Sequence, residues 1–299
     1  MDTEFSVSFG LNEDVRLCEA AATACFECID ALELLPSRFN DTSDVAVIRG
    51  ARPGQVATLA RETMDVLVLS AQVCAATGGA FDPTVGPVMD RLREQGACWE
   101  AVTGDVRAEA FARGGMQRLV LDVDHLRVAV KEDRWGRPTP LELDFGGIGK
   151  GYALDACGEL LRSEQFELSD WLLDAGSSTQ LLSGGPWSLG VGGKWKARTR
   201  LDTVLRLSDG ALSGSGFEIQ GQHVVDVRRK GAAARWAQTW SRAGSAAVAD
   251  ALSTAALALD ARELSAACAA LDARVLVARE QRPFLDRLRD PLAWFGGAS

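Results

Sequence analysis

Segments with helical and with strand-like apolar spacing follow one another along the whole chain of 299 residues, and no proline- or serine-rich linker separates them. Residues 4–9 alternate as a strand does, whereas 12–35 and 58–76 have the spacing of amphipathic helices. Residues 117–130 alternate twice, as a hairpin does. This order predicts one α+β domain over residues 1–299, or two intimately packed lobes, with mixed or antiparallel sheets and flanking helices.

The same patterns predict the remaining elements. They are a short helix over 86–95, strands over 141–145, 171–176 and 222–227, helices over 152–163 and 245–259, and a last strand over 274–279.

Acidic residues outnumber basic ones, with 41 Asp and Glu against 32 Lys and Arg, which leaves a formal net charge of −9. A protein that binds the phosphate backbone of nucleic acids needs a cationic face, so this balance argues against a nucleic-acid partner and equally against an acidic membrane surface. No run of about 18 apolar residues is present, which argues against a membrane-spanning helix. An anionic small molecule can still bind where a lysine or a metal ion supplies local positive charge.

The cysteines are scattered, and the one C-x-x-C pair, Cys25 and Cys28, lies within a helical pattern. A zinc site requires four ligands, and the two histidines, His125 and His223, are far apart in sequence. Free thiols in a reducing compartment are the simplest interpretation. The first residues of the sequence carry acids where a signal peptide carries positive charge, so we expect a cytoplasmic protein.

A glycine-rich turn, Gly146–Gly151 (GGIGKG), lies between a predicted strand and a predicted helix. Glycines at such a junction let the backbone approach a ligand closely and direct amide N–H groups at anionic oxygen, and Lys150 adds a cation. The turn is not a P-loop, because Asp144 occupies the place of the first glycine and Gly151 that of the Ser or Thr. Phosphate binding and a simple tight turn are therefore both open at this position.

Asp250 and Thr254 are four residues apart in the segment VADALSTAAL, so on a helix they share one face. A carboxylate and a hydroxyl placed in this way suit a hard cation such as Mg²⁺, which prefers oxygen ligands. The structural alternative is an aspartate near the helix N-terminus and a threonine that bonds to its own preceding turn.

Two further segments carry candidate residues. His223 lies at the start of the predicted strand over 222–227, ahead of Asp226. It is either a general base or an ordinary histidine at a strand edge. The segment TGGAFDPTVGP, which contains Ala80, Phe81 and Asp82, forms either a wall for a planar ring or simply a well-made loop.

The order of these motifs resembles the ApbE family of flavin transferases over about residues 30 to 280. The matching segments are SRFNDTSD, TGGAFDPTVGP, LDFGGIGKGYALD, LLDAGSS, LSGSGFE, HVVDV and ADALSTA. The resemblance implies an α+β fold related to the T-fold and a pocket for FAD with Mg²⁺. It implies metal ligation by Gly147, Asp250 and Thr254, and FAD contacts from Ala80, Phe81, Asp82, Asp144 and Lys150. His223 would then lie next to the reacting phosphate as a base.

The reaction that the resemblance implies is the transfer of FMN from FAD to a Ser or Thr of a target protein, with release of AMP. The alternatives are an FAD pyrophosphatase that gives FMN and AMP, and a flavin-binding paralogue without catalysis. The expected partners are therefore FAD and a flavinylated acceptor protein, with no nucleic acid and no membrane.

The chain departs from the family pattern at three places. Phe9-Gly10-Leu11 stands where the family usually has Met-Gly-Thr, and Arg49 replaces a usual Asn. Asp226 is followed by Val-Arg-Arg-Lys-Gly, where the family continues Pro-x-Thr-Gly. This last difference lies where the acceptor protein is expected to enter, so it concerns the acceptor more than the flavin or the metal ion.

Overall fold

The structure is a computed structural model that describes residues 3–34, 40–94, 104–176, 178–191, 194–195, 199–200, 203–216, 225–229, 231–232, 235–278 and 292–296. The helices are α1 (Val15–Leu34), α2 (Asp44–Gly50), α3 (Arg61–Ala76), α4 (Gly86–Glu94), α5 (Gly104–Arg113), α6 (Gly149–Arg162), α7 (Ala246–Ala256) and α8 (Ala261–Ala270). Within these residues, no helix combines the length and the apolar character that crossing a bilayer requires.

The strands belong to one large sheet and several small ones. The strands are β1 (Phe5–Phe9), β2 (Val56–Thr58), β3 (Leu119–Asp122), β4 (Arg127–Val130), β5 (Trp171–Ala175), β6 (Thr179–Ser183), β7 (Trp187–Val191), β8 (Lys194–Trp195), β9 (Thr199–Arg200), β10 (Thr203–Leu207), β11 (Gly210–Gly216), β12 (Val225–Asp226), β13 (Gly231–Ala232), β14 (Gln238–Ala243), β15 (Arg274–Ala278) and β16 (Leu292–Phe295).

The large sheet has seven strands in the order β1-β5-β6-β11-β14-β15-β16, and every neighbouring pair in it is antiparallel. Consecutive residues of a strand point to opposite faces, so this sheet supplies two separate apolar clusters. Leu181 of β6 belongs to the larger cluster, and its neighbour Leu182 belongs to the smaller one. Val275 and Leu276 of β15 divide in the same way.

Helices cover one face of the large sheet and a pair of strands covers the other. On the helical face, α6 packs against β5 and β6, and α7 packs against β6, β11 and β14. Helices α1 and α3 lie behind α6 and α7 respectively. On the opposite face, Leu189 and Val191 of β7 and Leu207 of β10 pack against Leu182 and Trp240 of the sheet. The larger core therefore lies between the sheet and the paired helices α6 and α7.

Helices α6 and α7 approach so closely that only glycine fits at their contact. A Cβ atom on Gly151 would lie 2.5 Å from the carbonyl carbon of Ala246 and 2.6 Å from the amide nitrogen of Ala247, with the Ala246 oxygen closer still. Backbone atoms of two helices cannot rotate away as a side chain does. The turn Gly146–Gly151, a candidate phosphate-binding motif, thus also allows α6 and α7 to pack closely.

Several expected elements differ from the observed ones for physical reasons. The strand expected over 141–145 is wrong: Leu141 and Leu143 are buried, but the segment joins no sheet among the described residues. Instead, Asp144 N donates to the carbonyl of Pro83 at 2.7 Å, because the segment runs along the turn before α4. The strand over 274–279 is β15, but β16 follows it and pairs with it, so it is not the last.

Two helix starts also differ from the expected ones. The helix expected from residue 58 begins at Arg61, because Val56–Thr58 pair with β4. The helix expected from residue 152 begins at Gly149, inside the glycine-rich turn. Helices α2 and α8 were not expected, although each has a clear N-cap signal. Ser43 caps α2, and Asp260 with Glu263 forms a capping box at α8.

Candidate active site

Asp155, in the second turn of α6, ties that helix to the first turn of α7. Its Oδ1 accepts a hydrogen bond from Ala246 N at 2.7 Å, and its Oδ2 accepts one from Ala247 N at 2.9 Å. The hydroxyl of Ser245 also donates to Oδ2, at 2.6 Å. Burial raises the pKa of Asp155, while these hydrogen bonds to the ionised carboxylate oppose the rise. A side chain of α6 thus holds the N-terminal turn of α7.

Asp250 lies one turn further along α7 and points back to the start of α6. Its residue is 3% exposed, and its Oδ2 lies 3.3 Å from Gly151 N and 3.7 Å from Lys150 Nζ. Its Oδ1 accepts hydrogen bonds from Thr179 Oγ1 at 3.3 Å and from Ser213 Oγ at 3.4 Å. A carboxylate at this depth is costly unless it is paired, and here an ammonium group, an amide and two hydroxyls pair it.

Thr254 and Gly147 lie beside each other, as the family resemblance implies for two metal ligands. A Cβ atom built on Gly147 would lie 3.4 Å from Thr254 Oγ1 and 3.6 Å from Cε2 of Phe81. The Thr254 hydroxyl is 3.3 Å from the carbonyl oxygen of Asp250 and 3.3 Å from Ser215 Oγ. The turn Gly146–Gly151, which we call the glycine corner, therefore faces Asp250 and Thr254 of α7 across a short gap. The Phe81 ring lies at the side of this gap.

Lys150 spans that gap. Its Nζ donates to the carbonyl of Gly146 at 3.2 Å and lies 3.7 Å from Asp250 Oδ2, and its side chain is 21% exposed. Asp144 shapes the same corner, because its Oδ1 accepts from Gly146 N at 2.9 Å. Lys150 thus places a cation at this corner, whereas the amides of Gly149 and Gly151 already donate to the carbonyl of Phe145 at 2.7 Å and to Asp250 Oδ2 at 3.3 Å.

The turn at Ala80, Phe81 and Asp82 is buried next to the glycine corner, but the carboxylate of Asp82 points into its own loop. Its Oδ1 accepts from both the amide and the hydroxyl of Thr84, at 2.8 and 2.6 Å. Its Oδ2 lies 3.4 Å from Met116 N. Burial raises the pKa of Asp82, and these hydrogen bonds act against the rise. Asp82 therefore shapes the turn, while Phe81 is the member of the three that reaches Gly147.

His223 lies outside the described residues, but the segment that follows it is well anchored. The buried carboxylate of Asp226 accepts hydrogen bonds from Nε and Nη2 of Arg228, each at 3.0 Å. The other guanidinium nitrogen, Nη1, donates to Glu263 Oε1 at 2.8 Å. Cγ of Arg228 lies 3.8 Å from the position of a Cβ on Gly79. The chain after His223 thus passes beside the turn that holds Phe81.

A set of hydroxyl groups next to Asp250 was not expected from the sequence. Ser213 Oγ lies 2.9 Å from Thr179 Oγ1 and 3.3 Å from Ser253 Oγ. Ser215 Oγ lies 2.8 Å from Ser253 Oγ and 3.3 Å from Thr254 Oγ1. One signal for it was present, since Ser213 and Ser215 alternate within a strand and so share a face. Thr179 gives no such signal, because only the pairing of β6 with β11 places it opposite Ser213.

The donors at this corner fit a hard divalent cation better than a soft one. Asp250 supplies a carboxylate, Thr254 a hydroxyl and Gly147 a backbone carbonyl, and all of these are oxygen donors. Among the residues that the structure describes, His, Cys, Asp and Glu form no group of three placed to hold a metal ion. A cation here would have one carboxylate ligand and would need further oxygens from a ligand, as Mg²⁺ has in many phosphate-binding sites.

A model of the ApbE family matches residues 1–277 of this chain. The chain belongs to the ApbE family. An FAD:protein FMN transferase of Klebsiella pneumoniae (strain 342) is 26% identical over 242 residues, which cover 76% of this chain and 67% of that protein. One of Chlamydia pneumoniae is 24% identical over 213 residues, which cover 68% of this chain and 63% of that protein. The matched part of the chain thus spans about two thirds of the length of these ApbE relatives.

Solved structures of ApbE proteins show the same fold. The flavin transferase ApbE from Vibrio cholerae aligns with a TM-score of 0.79 at 16% identity, covering 99% of this chain and 94% of that one. The ApbE protein from Thermotoga maritima aligns with a TM-score of 0.73 at 24% identity, covering 93% and 94%. The expected family and the expected α+β fold are therefore confirmed.

Proposed function

We propose that this chain transfers FMN from FAD to a Ser or Thr hydroxyl of an acceptor protein, releases AMP, and uses Mg²⁺ as its metal ion. One observation carries the proposal: the glycine corner faces α7, because Lys150 Nζ lies 3.7 Å from Asp250 Oδ2 and a Cβ built on Gly147 would lie 3.4 Å from Thr254 Oγ1. The relatives named FAD:protein FMN transferase support the same reaction. The α+β domain is expected to extend over residues 1–299.

The reaction exchanges one bond to phosphorus for another. The acceptor hydroxyl oxygen forms a bond to the phosphorus of the FMN half, the bond from that phosphorus to the bridging oxygen breaks, and AMP leaves with the bridging oxygen. The hydroxyl proton passes to a base, for which His223 is our candidate. Catalysis of such a transfer consists mainly of positioning and charge stabilisation.

The residues of the corner have distinct parts in this reaction. Lys150 would bind and orient the pyrophosphate, and the positive end of the α6 dipole would favour the same anion. The Phe81 ring, the turn that Asp82 shapes and the corner that Asp144 shapes would hold the flavin and keep water from it. Asp250 keeps Lys150 in place until the substrate arrives, since the two side chains are 3.7 Å apart.

Gly147, Asp250 and Thr254 are the residues that would hold Mg²⁺. When bound, this ion neutralises phosphate oxygens whose charge must otherwise be met by the protein. The chain has a net charge of −9, so its overall field disfavours an anionic ligand, and the positive charge of a metal ion at the site would offset this.

Hydrolysis of FAD to FMN and AMP is the second candidate, and the segment after His223 favours it. Arg228 is held by Asp226 and Glu263 and lies beside Gly79, so this part of the departure from the family pattern is anchored next to the turn that holds Phe81. If this segment does not admit an acceptor protein, water takes the place of the acceptor hydroxyl.

A cytoplasmic location also remains part of the proposal, and the thiols support it. Within the described part of the chain, the cysteines are free: Cys18, Cys25, Cys28, Cys74, Cys157 and Cys268. Free thiols are typical of a reducing compartment. Recovery of the native protein with these thiols paired would contradict this location.

Incubation with FAD, Mg²⁺ and an acceptor protein that bears a flavinylation motif separates the candidates. Transfer gives a fluorescent covalent band on the acceptor and one AMP for each FMN bound. Hydrolysis gives free FMN and AMP with an unlabelled acceptor. Unchanged FAD that co-purifies with the protein would indicate a flavin-binding paralogue and would overturn both enzymatic proposals.

The Asp250→Ala variant tests the metal site. We expect it to lose Mg²⁺-stimulated cleavage of FAD by about 10²- to 10³-fold, the usual effect of removing one preorganised charge contact. Asp260→Ala is the matched control, since Asp260 caps α8 rather than facing the glycine corner. Full activity of Asp250→Ala would exclude the proposed metal ligand.

The His223→Ala variant tests the base. It should slow the transfer while leaving the dissociation constant of FAD nearly unchanged. An equal loss of transfer and of FAD binding would assign His223 to the binding pocket instead.

A further inference from the structure

We infer that Asp155 is a positioning residue for the metal-binding corner: its carboxylate sets where α7, and with it Asp250 and Thr254, stands relative to the glycine corner. The inference rests on the proposed function for its consequences in catalysis. Its structural basis is independent of that function, because it consists of contacts between two helices. Asp155 has no direct contact with Asp250 or Thr254 among its hydrogen bonds.

Asp155 and Gly151 are four residues apart and therefore lie on the same face of α6. Asp155 binds the first turn of α7 through the amides of Ala246 and Ala247. Gly151 binds the second turn, since its amide donates to Asp250 Oδ2 at 3.3 Å. Two attachments on successive turns oppose both sliding and rotation of α7 along α6. The first attachment is the shorter of the two, with hydrogen bonds of 2.7 and 2.9 Å against 3.3 Å.

The helix α7 does not need Asp155 merely to begin. Ser245 is its own N-cap, and the Ser245 hydroxyl accepts a hydrogen bond from Val248 N at 3.2 Å. A local N-cap of this type is the usual way to satisfy the first turn of a helix. The carboxylate of Asp155 comes from another helix, 91 residues away from Ala246 in sequence, and so adds a constraint between helices.

Asp260 provides a matched comparison. It is also an aspartate that accepts hydrogen bonds from the first amides of a helix, Arg262 N at 3.0 Å and Glu263 N at 2.9 Å. It caps its own helix, α8, and no hydrogen bond joins it to the glycine corner in the described part of the chain. Loss of either aspartate removes hydrogen bonds to the first amides of a helix, but only loss of Asp155 removes an attachment of α7 to α6.

The test measures metal binding and stability in the same variants. Metal binding is followed in the full-length protein by the electron paramagnetic resonance of free Mn²⁺, with and without FAD, and activity by the Mg²⁺ concentration that gives half-maximal FAD cleavage. We expect Asp155→Ala to raise the half-saturating Mn²⁺ concentration and the half-maximal Mg²⁺ concentration about tenfold or more. An effect of this size is usual when the partner that orients a metal ligand is lost. Asp155→Asn keeps one acceptor oxygen and should lie between Asp155→Ala and the wild type.

A further variant separates positioning from stability. Asp260→Ala should lower the unfolding midpoint yet leave the half-saturating Mn²⁺ concentration within twofold of the wild type, since Asp260 caps α8. Asp155 variants that lose stability to the same extent without any change in Mn²⁺ binding would overturn the inference. If Asp155→Ala does not fold, Asp155→Asn is compared with Asp260→Asn instead. A loss of stability in Asp155→Asn without weaker Mn²⁺ binding would again overturn the inference.

The outcome distinguishes this inference from the proposed function. Wild-type protein that binds Mn²⁺ but neither cleaves FAD nor transfers FMN overturns the proposed function, while the binding series still tests Asp155. Wild-type protein that is active, with Asp155 variants of unchanged metal dependence, overturns the inference alone. Wild-type protein that binds no Mn²⁺ with or without FAD overturns the metal site and the inference together.

Discussion

An alanine at Gly151 should force α6 and α7 apart, because the added methyl group would meet the backbone of Ala246 and Ala247. Its Cβ would lie 2.5 Å from the Ala246 carbonyl carbon and 2.6 Å from Ala247 N. Ordinary contact begins at 3.4 Å, so the first turn of α7 would have to withdraw by about 1 Å. Gly151 lies within a helix and has no positive φ, so the penalty is one of space rather than of backbone conformation.

The size of the effect follows from two opposing terms. Overpacking a tight contact costs about 1–3 kcal/mol, and a contact made only of backbone should lie near the upper end. The change from glycine to alanine returns at most about 1 kcal/mol of helix propensity. We therefore expect a net loss of about 2 kcal/mol in the free energy of unfolding. For a chain of 299 residues this corresponds to a decrease of about 3 °C in Tm.

Urea unfolding followed by circular dichroism measures this loss, with Gly149→Ala as the matched control. A Cβ on Gly149, in the same helix, would lie 3.8 Å from the nearest atom, Cβ of Phe145, which is ordinary contact. Gly149→Ala should therefore unfold at the wild-type midpoint or slightly above it. If Gly151→Ala is as stable as Gly149→Ala, the close approach of the two helices is wrong, and with it the geometry that joins Gly151 N to Asp250.

Three other predictions concern the site and the core. Lys150→Met should reduce kcat for FAD cleavage by about 10²-fold or more, because it removes the cation 3.7 Å from Asp250; steady-state kinetics with unchanged kcat would refute this role. Burial raises the pKa of Asp133, but hydrogen bonds from Arg137 and the loop backbone outweigh it and lower the pKa from 3.8 to about 2. The ionised carboxylate thus stabilises the fold above about pH 4, and this stabilisation is lost as the pH falls towards 2. The difference in Tm between wild type and Asp133→Asn should accordingly be largest at neutral pH and shrink below pH 4, and a difference independent of pH would contradict the ion pair. Trp171→Ala should cost about 3–5 kcal/mol in chemical denaturation, since Trp171 is fully buried, and a loss below 1 kcal/mol would show that the core is not packed as described.

Local patterns predicted the secondary structure well wherever a segment carried a full apolar period. The helices around Asp250 and after Gly146, the hairpin of β3 and β4, and the strand at Trp171 all follow from spacing alone. The pattern misled at 141–145, because alternation indicates an extended backbone with one buried face and does not indicate a partner strand. That segment finds its hydrogen-bond partner in the turn at Pro83.

The candidate site was predicted as a set of separate motifs, and its supporting groups were largely missed. Asp155 was visible only as the last letter of a family motif, because its partners at Ser245–Ala247 are about 90 residues away. The hydroxyl of Thr179 likewise meets Asp250 only through the pairing of β6 with β11. A hydrogen bond between distant segments leaves no periodic trace in either segment.

Helical spacing alone placed Asp250 and Thr254 on one face of a helix, since residues four apart must be neighbours on any α-helix. Spacing likewise indicated a tight, cationic turn at Gly146–Gly151. Only the packing of α6 against α7, on one face of the large sheet, decided that these two features face each other. Contacts within a turn of helix depend on bond geometry that every chain shares, whereas contacts between helices depend on how all the buried side chains of the domain fill space together.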